Sequence, residues 1–268
     1  MAPVMARCGL SYALGGCVSL VLFDIDGTLL RGAPPVHRQA LCDAARVVFG
    51  VTLRPAEFGP TAGMTDRAIA RRELHAAGLA DSEIDTAMRS FCRAAAEAYE
   101  RLAPADLSAY HTPHALAALD WLAGRGATLG LVTGNIERIA WRKLSAAGLA
   151  SRFVQPAPLP NTRWPVAPWI GGFGDQGEER ATLPPLALAR ADGLLGLRPL
   201  ARETWVVGDT PADIACGAAH GLRCLAVATG AAYSLADLRA CGPDATLRDL
   251  GELAALAGMI FAHADDLA

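Results

Sequence analysis

The run Leu20-Val21-Leu22-Phe23 is followed at once by Asp24-Ile25-Asp26-Gly27-Thr28. Four apolar residues without a polar interruption read as a short strand buried on both faces, the kind found in a parallel sheet. Open α/β sheets bind ligands outside the carboxyl ends of their strands. Two carboxylates spaced by one residue would therefore stand at the mouth of such a site. Gly27 lets the backbone turn or approach a ligand closely. Asp and Gly also end strands and open turns for purely local reasons, so the stretch gains weight only if other strands end in matching groups.

They do. Residues 127–132 read as a second buried strand, ending in Thr133-Gly134-Asn135. Residues 204–207 read as another, ending in Gly208-Asp209-Thr210-Pro211-Ala212-Asp213. Its two acids offer hard oxygen ligands of the kind Mg²⁺ takes together with water and phosphate oxygens. A strand over 224–228 and the segment Asp244-Ala245-Thr246-Leu247 follow, then a terminal helix from about residue 250. One more strand is expected within 153–173. Gly171-Gly172-Phe173-Gly174 lacks both the Gly-Lys-Ser/Thr of a phosphate loop and the spacing of a dinucleotide fingerprint.

Helical patterns fill the gaps: 37–49, 64–77 closed by Gly78, 81–102 stopped by Pro104, 113–124, 136–147 capped by Gly148, 184–195 and 214–219. Strands alternating with helices predict an α/β fold with a doubly wound, mostly parallel sheet. The span 33–110 carries no strand pattern and reads as an all-helical insert. The core is then 18–32 together with 111–268, with 1–17 as an N-terminal extension and 155–179 as a long loop.

The order Asp24-Ile25-Asp26-Gly27-Thr28, then Thr133 after a strand, then a cation before a helix, then Gly208-Asp209 with Asp213, resembles the haloacid dehalogenase superfamily. The 33–110 insert resembles its helical C1-type cap, and the tail resembles phosphoglycolate-phosphatase-like members. The resemblance covers about residues 18–257. It implies a Mg²⁺-dependent phosphatase acting on a small phosphate monoester through an aspartyl-phosphate. It implies Asp24 as nucleophile and Asp26 as general acid and base. It assigns Mg²⁺ to the Asp24 carboxylate, the Asp26 carbonyl and Asp209, with Asp213 in or just behind that set. Thr133 and the Gly134 or Asn135 amide would hold the phosphoryl oxygens, with Gly27 alongside. The family's third motif usually carries Lys. Here Arg180, just before a helix, is the expected replacement, and Arg190, mid-helix, is its rival. Dehalogenating members lack the second aspartate, so Asp26 favours phosphate esters. A phosphohexose mutase of the β-phosphoglucomutase type shares the same motifs, and a non-catalytic binding protein of this fold is the remaining alternative.

Substrate choice is expected in the insert. Thr61, Gly63, Thr65, Asp66 and Arg67 form a polar turn at a helix start. Such a turn can face the site, with Arg67 on a substrate carboxylate or phosphate, or it can simply be a solvated helix start.

Composition narrows the partners. A net charge of −3 over 268 residues gives no basic excess for nucleic acid. No apolar run reaches the roughly 18 residues of a membrane helix. Seven scattered cysteines without a CxxC point away from structural zinc or a disulfide framework and toward a reducing cytoplasm. Lys143 is the sole lysine, a usage that reads as coding bias.

Overall fold

The computed structural model describes residues 19–153 and 169–261. The expected extension over 1–17 and most of the expected loop lie outside the described residues. The elements are β1 (Leu20–Phe23), α1 (Val36–Phe49), α2 (Asp66–Ala76), α3 (Asp81–Leu102), α4 (Ala115–Ala123), β2 (Thr128–Thr133), α5 (Glu137–Ala146), β3 (Gly171–Phe173), α6 (Leu183–Leu195), β4 (Thr204–Gly208), α7 (Pro211–Ala218), β5 (Arg223–Val227), α8 (Leu235–Ala240), β6 (Ala245–Leu247) and α9 (Ala257–Ile260).

The strands form one sheet in the order β3-β2-β1-β4-β5-β6, and every ladder among them is parallel. Hydrophobic alternation explains the two covering layers. Val21 and Phe23 point into the cluster that includes Leu119, Leu122 and Leu144 from α4 and α5. Leu20 and Leu22 point the other way, into a cluster with Leu183, Ala187 and Ala191 of α6. Complete burial of a side chain such as Phe23 is worth about 1.5–3 kcal/mol, so the strand that carries the aspartates is also a main anchor of the core.

The winding reverses at β1: β2 and β3 lie on one side, β4 on the other. That reversal opens a crevice at the carboxyl ends of β1 and β4. The parallel ladder runs one residue further, with the Asp24 amide donating to the Val207 carbonyl at 2.9 Å. Asp24 is thereby held at the lip of the crevice.

The glycine-rich stretch becomes β3. Its glycines serve close packing: a Cβ on Gly172 would sit 2.1 Å from the Leu183 carbonyl oxygen, where α6 starts across the strand. The helix α8, which the sequence pattern did not announce, is capped by Ser234, whose hydroxyl accepts from the Asp237 amide at 3.2 Å. The expected terminal helix is instead a 3-10 segment over Leu250–Leu256 followed by the short α9.

Helices α1 to α3 share a separate apolar cluster built on Leu41, Leu74, Ile84, Phe91 and Tyr99 and reaching Ile136 and Ile139. The chain leaves β1 and returns to α4 side by side. Leu30 bridges His111, and the Arg31 amide donates to the Tyr110 carbonyl at 2.8 Å.

Candidate functional site

Strand ends bring the motif residues together. A cavity of about 580 Å³ is lined by Asp24, Asp26, Gly27, Gly134, Asn135, Arg180 and Asp209 from the sheet side and by His37, Arg38, Thr61, Met64 and Asp66 from α1 to α2. At its floor Asp24, Asp209 and Asp213 are all buried, and ligand oxygens from the three lie within 4.8 Å of one another.

Arg180 enters this acidic floor. Its Nη2 lies 3.0 Å from Asp24 Oδ1 and 2.5 Å from Asp213 Oδ1. Burial works against its charge, but Asp213 and Asp24 outweigh that and hold the guanidinium above its ordinary pKa. Arg190, the rival, pairs with Glu137 at 2.6 Å and does not line the cavity.

Asp209 is fixed by a Thr28 hydroxyl bond of 3.0 Å to Oδ1. Gly27, at φ +94°, and Gly230 pack against its carboxylate so tightly that a Cβ on either would lie 2.2 Å and 1.8 Å from Oδ2. Asp213 is taken up on both oxygens: Oδ1 meets Arg180, and Oδ2 accepts from the Thr210 amide at 3.0 Å and hydroxyl at 2.7 Å. Burial first, then neighbouring acids, push Asp209 up to about 8. Burial lifts Asp24 to about 6, with Arg180 pulling against it and Asp213 adding to it. One arginine does not neutralise three acids. The donor set is hard oxygen at close range, and it fits a divalent cation.

Asp26 has a different neighbourhood. Its Oδ2 accepts from Lys143 Nζ at 2.5 Å and from Asn135 Nδ2 at 2.8 Å. Burial opposes ionisation here too, but the charge of Lys143 and the hydrogen bonds from Lys143 and Asn135 win, and the carboxyl stays below its usual range. Thr133 is fully buried, and its hydroxyl accepts from Asn135 Nδ2 at 2.8 Å.

Arg67 is not brought to the cavity. Its guanidinium faces Glu178 at 3.6 Å and lines a separate hollow of about 340 Å³ beside Asp85, Cys92 and Arg138. The turn before it does reach the cavity, through Thr61, Gly63 and Asp66. That turn is pinned to the second motif, because the Asp66 amide donates to the Gly134 carbonyl at 2.7 Å.

Lys143 and His37 are the residues that sequence reasoning did not place at the site, whereas Asp66 belongs to the polar turn that could face it. Lys143 left a signal. In α5 it occupies a buried-face position beside Ile139, Ala140 and Leu144, where a lysine is out of pattern. His37 left none.

A doubly wound parallel sheet with acids and an arginine gathered at the switch point of its winding defines an α/β protein with a catalytic-type pocket. The family model described as haloacid dehalogenase-like hydrolase matches residues 21–218. This chain belongs to that family and is a hydrolase of its fold. It is similar to the phosphoglycolate phosphatase of Rhodospirillum rubrum, at 29% identity over 87% of this chain and 88% of the relative. It is also similar to the phosphoglycolate phosphatase of Pseudomonas fluorescens, at 27% over 79% and 70%. Among solved structures, a hydrolase from Pseudomonas syringae superposes with a TM-score of 0.55 at 19% identity, over 94% of this chain and 99% of that one. A predicted phosphatase from Clostridium acetobutylicum gives 0.59 at 16%, over 89% and 97%. The structural likenesses speak for the fold alone. Among the described residues, no helix is long and apolar enough to cross a membrane.

Proposed function

We propose that this chain is a Mg²⁺-dependent phosphatase that hydrolyses a small phosphate monoester through an aspartyl-phosphate on Asp24. The observation that carries the reading is the pairing of a buried Asp24, beside Arg180 and Asp209, with an Asp26 that opens to the same cavity.

Asp24 Oδ attacks phosphorus and the ester oxygen leaves. Asp26 protonates that oxygen, then takes a proton from the water that opens the aspartyl-phosphate. Arg180 holds Asp24 in line and meets the charge on the phosphoryl oxygens. The Gly134 or Asn135 amide receives those oxygens, with the buried Thr133 hydroxyl bracing Asn135 behind it and Gly27 leaving room beside them. Mg²⁺ would be held by the Asp24 carboxylate, the Asp26 carbonyl and Asp209, with Asp213 bracing the set. When bound, it supplies charge neutralisation and orientation for phosphoryl transfer.

Residues 33–110 act as a cap, since α1 and the turn before α2 form one wall of the cavity. A volume of about 580 Å³ suits a small metabolite. The names of the curated relatives make phosphoglycolate the first substrate to try.

The test is hydrolysis of an aryl phosphate and a panel of small alkyl phosphates, with and without Mg²⁺, by the wild type and by Asp24→Asn. Turnover that needs Mg²⁺ and disappears in Asp24→Asn is expected. Turnover retained by Asp24→Asn, or indifferent to chelation, overturns the mechanism.

A further inference from the structure

We propose that Lys143 is the positioning residue for Asp26, and that His37 and Asp66 tie its placement to the helical cap. This rests on the phosphatase reading above.

Lys143 is 4% exposed on the apolar face of α5. A buried ammonium is costly unless every proton is received. Here all three are. Nζ meets Asp26 Oδ2 at 2.5 Å, Asn135 Oδ1 at 2.7 Å and His37 Nδ1 at 3.2 Å. An ammonium has three donors and no more. Lys143 therefore has none left for a phosphoryl oxygen, and its effect on the reaction must pass through Asp26.

The same bonds decide which oxygen of Asp26 does the work. Oδ2 accepts from both Lys143 and Asn135. No hydrogen bond reaches Oδ1 among the described residues. The side chain is 48% exposed, into the cavity. Two donors on one oxygen fix the plane of the carboxyl and leave the other oxygen facing the substrate. Oδ1 is then the atom that takes up a proton when the ester binds as its monoanion and passes it to the leaving oxygen as the P–O bond breaks. It regains one from the water whose oxygen attacks the aspartyl-phosphate.

The acceptor role of His37 Nδ1 toward Lys143 puts its proton on Nε2, which donates to Asp66 Oδ2 at 3.0 Å. That same oxygen accepts from the Ile136 amide at 2.8 Å. His37 stands on α1, Asp66 opens α2, and Ile136 follows the Thr133-Gly134-Asn135 turn. A shift of the cap helices thus moves the acceptor that Lys143 leans on, and with it Asp26.

The experiment compares two esters on the Mg²⁺-loaded enzyme: dinitrophenyl phosphate, whose leaving group needs no proton, and the best alkyl phosphate of the panel, which does. Lys143→Met is expected to lower kcat on the alkyl ester at least tenfold more than on the aryl ester, a fraction of the roughly 10²–10⁴-fold worth of general acid catalysis. KM should change little. In an Asp26→Asn background, Lys143→Met should add almost nothing. His37→Gln, which keeps the fold if Lys143→Met does not, should show the same selective loss to a smaller degree. Equal loss on both esters, or additive loss with Asp26→Asn, overturns the positioning role. If Mg²⁺-dependent turnover lost in Asp24→Asn persists beside such equal loss, the phosphatase reading stands and only this inference falls. A wild type inert toward every ester overturns both.

Discussion

Asp24 and Asp26 are two residues apart and sit in opposite surroundings. Asp24 lies among acids: Asp209 and Asp213 share its floor, and the one arginine there pairs with Asp24 and Asp213. Its carboxyl is pushed up by burial. Asp26 opens to the cavity and bonds a lysine and an amide, and its carboxyl is held below its usual range. The first is a pole short of positive charge; the second is already neutralised. On the proposed mechanism, that difference separates a cation-requiring phosphoryl site from a proton site that needs no cation. The two poles also draw on different parts of the molecule. The Asp24 pole is built from strand ends and from Arg180 before α6, whereas the Asp26 pole borrows His37 and Asp66 from α1 and α2.

Several variants would break or sharpen this contrast. The largest expected effect is at Arg180. Arg180→Met leaves buried acids without their arginine, and such a change costs about 3–5 kcal/mol, read by urea unfolding. Mg²⁺ should recover part of it. An unchanged midpoint would mean that the acidic floor does not depend on this cation.

Asp26→Asn keeps the shape and removes the proton. On an alkyl phosphate it should cost roughly 10²–10⁴-fold in kcat, and far less on an aryl phosphate with a good leaving group. Equal losses would move Asp26 out of proton transfer.

The pH dependence of stability follows from the sign of the shifts. Asp24 at about 6 and Asp209 at about 8 bind protons more tightly folded than unfolded. Without metal, these two groups make stability fall as pH rises from about 4 through about 8. Mg²⁺ should therefore raise the melting temperature more at pH 8 than at pH 6, by up to about 2.7 kcal/mol of stability at a hundredfold excess over Kd. An equal rise at both values would separate the acids from the metal.

The smallest effect is the sharpest. Lys143→Met should leave the Mg²⁺-induced stabilisation unchanged, because Lys143 touches Asp26 and Asn135 but none of the three floor acids. A lost Mg²⁺ response would merge the two poles into one.

Much of the Asp24 pole was legible in the sequence. Leu20–Phe23 announces a buried strand, and the acids after it and after β4 must then meet at the carboxyl edge. Arg180 was legible for the same reason, as a cation just ahead of α6. The Asp26 pole was not. His37 and Asp66 come from an insert whose docking depends on packing among α1, α2 and α3, which has no local signature. Lys143 stood in plain sight as a lone lysine on an apolar helix face, and coding bias hid it. Arg67 misled because a polar turn at a helix start looks the same whether it faces a ligand or a neighbouring Glu178. The strand expected within 153–173 is β3, but the need of its glycines to admit α6 is visible only once the helix is in place.

The most direct measurement is rapid acid quench of Mg²⁺-loaded enzyme turning over a radiolabelled phosphate monoester, followed by peptide mapping. Label on the peptide containing Asp24, absent in Asp24→Asn and present in Lys143→Met, is the predicted result. Turnover with no labelled protein, or with label on another residue, would contradict it.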